Sequence, residues 1–232
     1  MIKKIKKCVY LVLDTIAPKL LHRKVFYSQD GEDALLSSFY ERKKGYKGFF
    51  VDVGAHHPYR FSNTAYYYKK GWRGINIEPT PNLFNVFLKH RKRDINLNLG
   101  IGSGETLTFY IFNEGAINTF DSELARERDG GQNGKYRIVD TKSIQTKRLG
   151  DVLDEHLPAN TKIDLLTIDV EGLDLQVLKS NNWEKYSPEF IMVECEESLE
   201  HLNNDAVYQF LVSKNYNLIG RTKRTSIFHF VQ

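Results

Sequence analysis

From about residue 48 onward the chain alternates short apolar runs, rich in β-branched and aromatic residues, with longer stretches of helical spacing. That is the pattern of βα units wound around a parallel sheet. Continuous apolar runs predict parallel strands over 49–53, 74–77, 95–99, 163–168 and 190–193, because a strand covered on both faces needs no polar alternation. Helical spacing fills the gaps over 32–44, 64–70, 81–91, 149–157, 173–180 and 205–214. Pro81 suits a first helical turn, where its missing N–H is not needed. Two last extended runs, 216–221 and 226–231, flank the polar Thr222-Lys223-Arg224-Thr225 and predict a terminal antiparallel hairpin. Between the third and fourth parallel strands come an alternating strand over 106–112, a charged, Gly-rich stretch over 121–134, and an extended segment over 136–146. The middle stretch has little to bury and reads as an insertion or mobile loop.

Composition narrows the class. With 232 residues and 41% apolar positions, the chain can bury one sizeable core. Its two cysteines, Cys8 and Cys195, are far apart and lack metal-ligand spacing, which points to a reducing compartment and a cytoplasmic protein. Charge is unevenly placed. Residues 1–24 hold Lys3, Lys4, Lys6, Lys7, Lys19, Arg23 and Lys24 against Asp14 alone, a net +6, while the remaining 26 basic and 28 acidic residues leave the rest at −2. A nucleic-acid binder carries its basic stripe on the folded body, so nucleic acid is excluded as the partner. Residues 1–26 read as a basic N-terminal segment, either a solvated helix or one lying on an anionic membrane surface, and 27–232 as the folded domain. The apolar run over 8–13 is too short to span a bilayer, and no small-residue cleavage site follows it.

In an open α/β sheet, ligands bind beyond the carboxyl ends of the strands. The first strand ends in Val51-Asp52-Val53-Gly54-Ala55-His56-His57-Pro58, and the second in Glu78, twenty-six residues after Asp52. A carboxylate at that second position can accept both ribose hydroxyls of an adenosine. No G-x-G-x-x-G follows the first strand, because His56 stands where the second glycine would fall. This disfavours NAD and FAD, whose pyrophosphate needs that bare backbone.

The strings Tyr27-Ser28-Gln29-Asp30-Gly31-Glu32-Asp33, Phe50 to Pro58, Ser62-Asn63-Thr64, Gly71 to Pro79 and Ile168-Asp169-Val170-Glu171-Gly172 resemble the FkbM family of methyltransferases. The resemblance runs from about Tyr27 to Glu196 and leaves the residues before Tyr27 outside. It implies an α/β, Rossmann-like class I methyltransferase fold: a mostly parallel seven-stranded sheet that ends in the hairpin, with helices on both faces. It also implies S-adenosylmethionine as cofactor and O-methylation of sugar or polyketide hydroxyls. On that basis Asp52, Gly54, Ala55 and Glu78 carry over as cofactor positions, Ser28, Gln29, Ser62 and Asn63 close over the methionine end, and Asn98 to Gly100 neighbour the adenine. Ser62 and Asn63 equally suit capping of the helix that begins near Thr64.

Chemistry then needs a base. Asp169 and Glu171 follow the fourth parallel strand, although both also suit a helix N-terminus. Asp169 with Glu194 and Glu196 offers a magnesium site that would acidify a sugar hydroxyl. Without a metal, His56 or His57 has the ordinary pKa of a general base at neutral pH. Tyr59, Phe61 and Tyr66 to Tyr68 are candidates for stacking on sugar faces or for the core. These readings converge on O-methylation of a saccharide hydroxyl, as in surface polysaccharide or glycolipid assembly. A small natural-product hydroxyl and a non-catalytic nucleoside- or sugar-binding domain of the same fold are the alternatives.

Overall fold

The computed structural model describes residues 2–40 and 45–231, so the last four positions of the helix expected over 32–44 lie outside the described residues, as do Met1 and Gln232. Two short helices, α1 (Ile2–Ile16) and α2 (Pro18–Leu21), precede α3 (Glu32–Tyr40). Then come β1 (Phe49–Val53), α4 (Ala65–Lys69), β2 (Arg73–Ile77), α5 (Pro81–His90), β3 (Ile95–Leu97), β4 (Gly100–Ile101) and β5 (Thr106–Phe112). The chain continues through α6 (Ser122–Arg128), α7 (Gly131–Gly134), β6 (Ile138–Lys147), α8 (Leu149–His156), β7 (Leu165–Ile168) and α9 (Asp174–Lys179). It closes with β8 (Phe190–Glu194), α10 (Ala206–Ser213), β9 (Tyr216–Arg221) and β10 (Thr225–Phe230).

Seven strands form one sheet in the order β3-β2-β1-β7-β8-β10-β9. The first five pair in parallel, and β10 joins β8 and β9 antiparallel. Successive side chains of a strand point to opposite faces, so each apolar strand feeds two cores. Val51, Val53, Leu166, Ile168, Ile191 and Val193 face one side, where Leu149, Val152 and Leu153 of α8, Val177 and Leu178 of α9 and Leu211 of α10 pack on them. Phe50, Leu165, Phe190 and Met192 face the other, under Leu36 and Tyr40 of α3 and Tyr66 and Tyr67 of α4. Burial on both faces is why these strands read as unbroken apolar runs.

The predicted parallel strands and hairpin are present, with two corrections. The third strand stops at Leu97, and Gly100–Ile101 leaves the main sheet to pair in parallel with Thr146 and Lys147 of β6. With the antiparallel β5·β6 pairing this makes a second, three-stranded sheet in the order β4-β6-β5. The stretch 121–134 is helical instead of a loop, because the Asp121 carboxylate accepts from the backbone N–H of Glu123 and Leu124 and caps α6. Tyr66 and Tyr67 belong to the core, which leaves Phe61 as the exposed aromatic of the five.

Strand order reverses between β1 and β7, since the chain runs outward through β2 and β3 on one side and through β8 on the other. A cleft opens beyond the carboxyl ends of such a pair.

Candidate functional site

The loops after β1 and β7 touch at their base. Asp169 N–H donates to the Val53 carbonyl at 3.0 Å, and Gly54 and Ala55 N–H both donate to Ile77 O at 3.0 Å. Gly54 has φ +78°, and a Cβ there would stand 1.9 Å from the Asp169 carbonyl oxygen. Only glycine fits that backbone and that approach. Above this contact lies a cavity lined by Gln29, Asp52, Gly54, Ala55, His56, Ser62, Asn63, Glu78 and Gly100 from the predicted set, and by Asp169, Glu171 and Glu194.

On the β1–β2 side the acids are tightly held. Glu78 Oε2 accepts from His56 N–H at 2.8 Å, and its Oε1 from Thr80 N–H at 2.7 Å. Each oxygen keeps a second lone pair for a ligand hydroxyl. Asp52 Oδ2 accepts from the Thr64 hydroxyl at 2.7 Å. Burial raises both carboxyls despite these hydrogen bonds, Asp52 to about 6 and Glu78 to about 7.

Behind Asp52 sits a fully buried arginine that the sequence pattern gave no reason to single out, because it ends an amphipathic helix. Arg91 donates twice to the Pro58 carbonyl, at 3.1 and 2.9 Å, and once each to Ser62 Oγ at 3.1 Å and Thr64 Oγ1 at 3.2 Å. Its Nη1 lies 3.5 Å from Asp94 Oδ2. One side chain thus fixes the whole 58–64 segment that carries Asp52's partner. Ser62 Oγ also accepts from Ala65 N–H, so its capping role and its place on the cavity wall coexist. Asn63 Nδ2 donates to Thr167 Oγ1, tying the loop to β7.

Two predicted cofactor contacts fall elsewhere. Ser28 does not line the cavity; its hydroxyl donates to Asp33 Oδ1 at 2.6 Å and braces the start of α3. Asn98 turns back to donate to the carbonyls of Glu78 and Pro79. The apolar wall beside Glu78 comes from Leu99, Ile101, Phe109 and Phe120. Gly100 is small because a Cβ would meet Phe120 Cζ at 2.6 Å.

Neither histidine is built to act as the base. His57 Nδ1 accepts from the backbone N–H of Tyr59 and Arg60, at 3.1 and 2.9 Å, and caps that turn outside the cavity wall. His56 lines the cavity, but its Nε2 lies 3.3 Å from Arg60 Nη1. Arginine only donates, so Nε2 is the acceptor and Nδ1 carries the proton. Burial, and then the Arg60 charge, lower His56 to about 4, and the lone pair a base would use is already engaged.

On the β7–β8 side the carboxylates differ in freedom. Glu171, at φ +55°, is ion-paired with Arg128 at 2.6 Å, and its carbonyl accepts from Thr119 Oγ1. Glu196 is exposed, off the cavity, with its backbone N–H on Asp205. The expected Asp169, Glu194 and Glu196 set is therefore not assembled, and no group of three His, Cys, Asp or Glu among the described residues is placed to hold a metal. Asp169 opens into the cavity while protein surrounds it, and no donor among the described residues bonds its carboxylate. That enclosure, with Glu171 and Glu194 nearby, raises it well above the usual range. Glu194 is raised by burial and by Glu171, and Arg224 offsets part of this. Arg224 and Asn118 complete the wall; the sequence placed Arg224 only in the hairpin turn and gave no reason to single out Asn118.

Arg91→Met is expected to lower the unfolding free energy by about 3–5 kcal/mol, because Asp94 stays buried without its charge partner. Urea denaturation measures this, and an unchanged midpoint and slope would contradict the bracing role.

No curated protein sequence gives a significant match. Among solved structures, methyltransferase FkbM from Methylobacillus flagellatus KT aligns at 14% identity and TM-score 0.47 over 80% of this chain and 44% of that one. Monomeric WbdD aligns at 12% identity and TM-score 0.44 over 94% and 43%, respectively. Precorrin-6y C5,15-methyltransferase from Geobacter metallireducens GS-15 aligns at 12% identity and TM-score 0.40 over 89% and 90%. The chain thus spans less than half the length of the first two, and likenesses this distant carry no argument about function. Sequence similarity is more specific: residues 52–218, well over half the chain, match the methyltransferase FkbM domain, so the chain belongs to the FkbM methyltransferase family.

Proposed function

We propose that this protein is an S-adenosylmethionine-dependent O-methyltransferase whose acceptor is a saccharide hydroxyl. Family membership implies S-adenosylmethionine as the methyl donor. The observation that carries the acceptor half is Asp169, a carboxylate with no hydrogen-bond donor among the described residues, facing the same cavity as Asp52 and Glu78.

The acids around the cavity suit this donor. Its sulfonium and ammonium are cationic, and the carboxyl groups of Asp52, Glu78, Asp169 and Glu194 line the cavity that would receive them, where a cation favours their ionised form. Glu78, anchored by two backbone N–H groups, is placed to accept from ribose hydroxyls. Leu99, Ile101 and Phe120 form an apolar wall for the adenine, and Asp52 with Gln29 faces the methionyl end. The donor supplies an electrophilic methyl carbon: the acceptor oxygen bonds to it, the carbon–sulfur bond breaks, and S-adenosylhomocysteine leaves.

The chain itself must position the hydroxyl and remove its proton. Asp169 takes the proton on its carboxylate, and its raised affinity for a proton suits that step. Glu171 is held by Arg128 and does not compete. Asn118, Glu194 and Arg224 make the acceptor half polar. A polar wall matches a polyol better than an apolar polyketide. The free, buried Cys195 thiol supports a reducing compartment.

Asp169→Asn tests the chemistry. The variant should bind S-adenosylhomocysteine like wild type while losing about 10²–10⁴-fold in turnover on free sugars and oligosaccharides, read as S-adenosylhomocysteine formed. Wild-type turnover in the variant removes the assigned base; methylation confined to apolar alcohols removes the saccharide.

Protonation tests the donor half. Ionised Glu78 accepts ribose hydroxyls, whereas its protonated form has lost acceptor capacity, so affinity should rise with pH through the carboxyl's value near 7. Calorimetry should find S-adenosylhomocysteine on the order of tenfold weaker at about pH 5.5 than at about pH 8, with Glu78→Gln flattening the profile. The unligated protein runs the opposite way. Both folded-state values lie above the unfolded ones, so the folded state binds more protons, and these groups cost stability as pH rises from about 4 to about 7.

A further inference from the structure

The methyl-transfer site makes no use of the first two helices, and these present the largest concentration of apolar exposure. Nine of the seventeen exposed large hydrophobics among the described residues fall within residues 5–25. On α1, Ile5, Val9, Val12, Leu13 and Ile16 recur at spacings that place them on one stripe about 100° wide, the width of an interface-seeking helix face. They are 45% to 77% exposed, and Leu20 on α2 is 75% exposed. A surface helix of a finished fold buries such a stripe against the body; the main neighbour of α1 among the described elements is α2.

Charge says what covers it. Lys6 on α1, Lys19 on α2, and Arg23 and Lys24 just after it are exposed, and the sequence adds Lys3, Lys4 and Lys7, whose side chains lie outside the described residues. The single acid, Asp14, is engaged: its Oδ1 lies 2.5 Å from His22 Nε2, which ties α2 back against α1. Residues 1–24 thus carry +6 against −2 on the rest of the chain. No helix among the described residues is long and apolar enough to cross a membrane. The segment also lies outside the residues that match the family, 52–218.

We propose that α1 and α2 form a docking surface for an anionic lipid bilayer. The apolar stripe enters the boundary between headgroups and acyl chains, and the lysines and Arg23 meet the negative surface. A basic, in-plane helix with an apolar row matches that partner in both shape and charge. The body, slightly acidic, stays in water.

The test uses the full chain and no methyl donor, so its outcome is independent of the reading of the active site. Wild type and a Val9→Glu, Val12→Glu variant are floated with vesicles of phosphatidylcholine alone and of phosphatidylcholine with phosphatidylglycerol. Both positions are solvent-exposed, so the variant should keep the wild-type melting temperature. Wild type should bind the anionic vesicles, release from them at high salt and ignore the neutral ones. The variant should bind at least about tenfold more weakly, since each buried apolar side chain adds to partitioning. Equal partitioning of the two proteins, or no binding to anionic vesicles, overturns the proposal. So does a wild-type dimer in sedimentation that the variant dissociates, because a second copy would then cover the stripe.

Discussion

Everything in the site follows from one close approach, the backbone of Gly54 against the Asp169 carbonyl where strand order reverses. With 1.9 Å available to a Cβ, the loop after β1 must pass this point as glycine in a left-handed conformation. The two loops then diverge, and the cleft between them collects the carboxylates that end β1, β2, β7 and β8. Burying so many acids together is costly unless each is hydrogen-bonded, ion-paired or protonated. Asp52 and Glu78 are hydrogen-bonded, Glu171 is paired, and Asp169 and Glu194, which face neighbouring carboxylates, have a raised affinity for protons.

That division of labour gives the cleft two unlike halves. The β1–β2 half is braced from behind by Arg91, whose four hydrogen bonds freeze residues 58–64. The β7–β8 half is braced from above by the inserted segment, where Thr119 and Arg128 secure Glu171. Arg60 grips Glu114 of the loop after β5 with both terminal nitrogens while it donates to His56. The loop between β5 and α6 forms part of the cavity wall through Gly115, Ala116, Asn118 and Phe120.

Most of the fold was readable because its signals are local and repeated. Apolar runs ended by Gly54 or by Glu78-Pro79 mark parallel strands and place acids at their tips without any tertiary knowledge. What escaped reading depends on partners distant in sequence. Residues 121–134 look unburiable until Asp121 caps a helix that docks on the loop after β7. Arg91 looks like the solvated end of α5 until Asp94, Pro58 and Thr64 close around it. The His56-His57 pair looks like base chemistry until Arg60 occupies one lone pair and a turn occupies the other. The magnesium set failed for a simpler reason: Glu196, two residues beyond Glu194, has left the strand and the cavity. Sequence proximity to a strand end shows which residues can reach a cleft, and hydrogen bonding decides what they can do there.

The central claim is that carboxylates on the β1–β2 side of the switch point receive a sulfonium nucleoside. A crystal structure of the complex with S-adenosylhomocysteine tests it most directly. The account predicts the ribose hydroxyls on the Glu78 carboxylate, the adenine against Phe120 and Ile101, and the sulfur directed toward Asp169. A nucleoside bound away from Glu78, or with its sulfur facing away from the β7–β8 half, would contradict it.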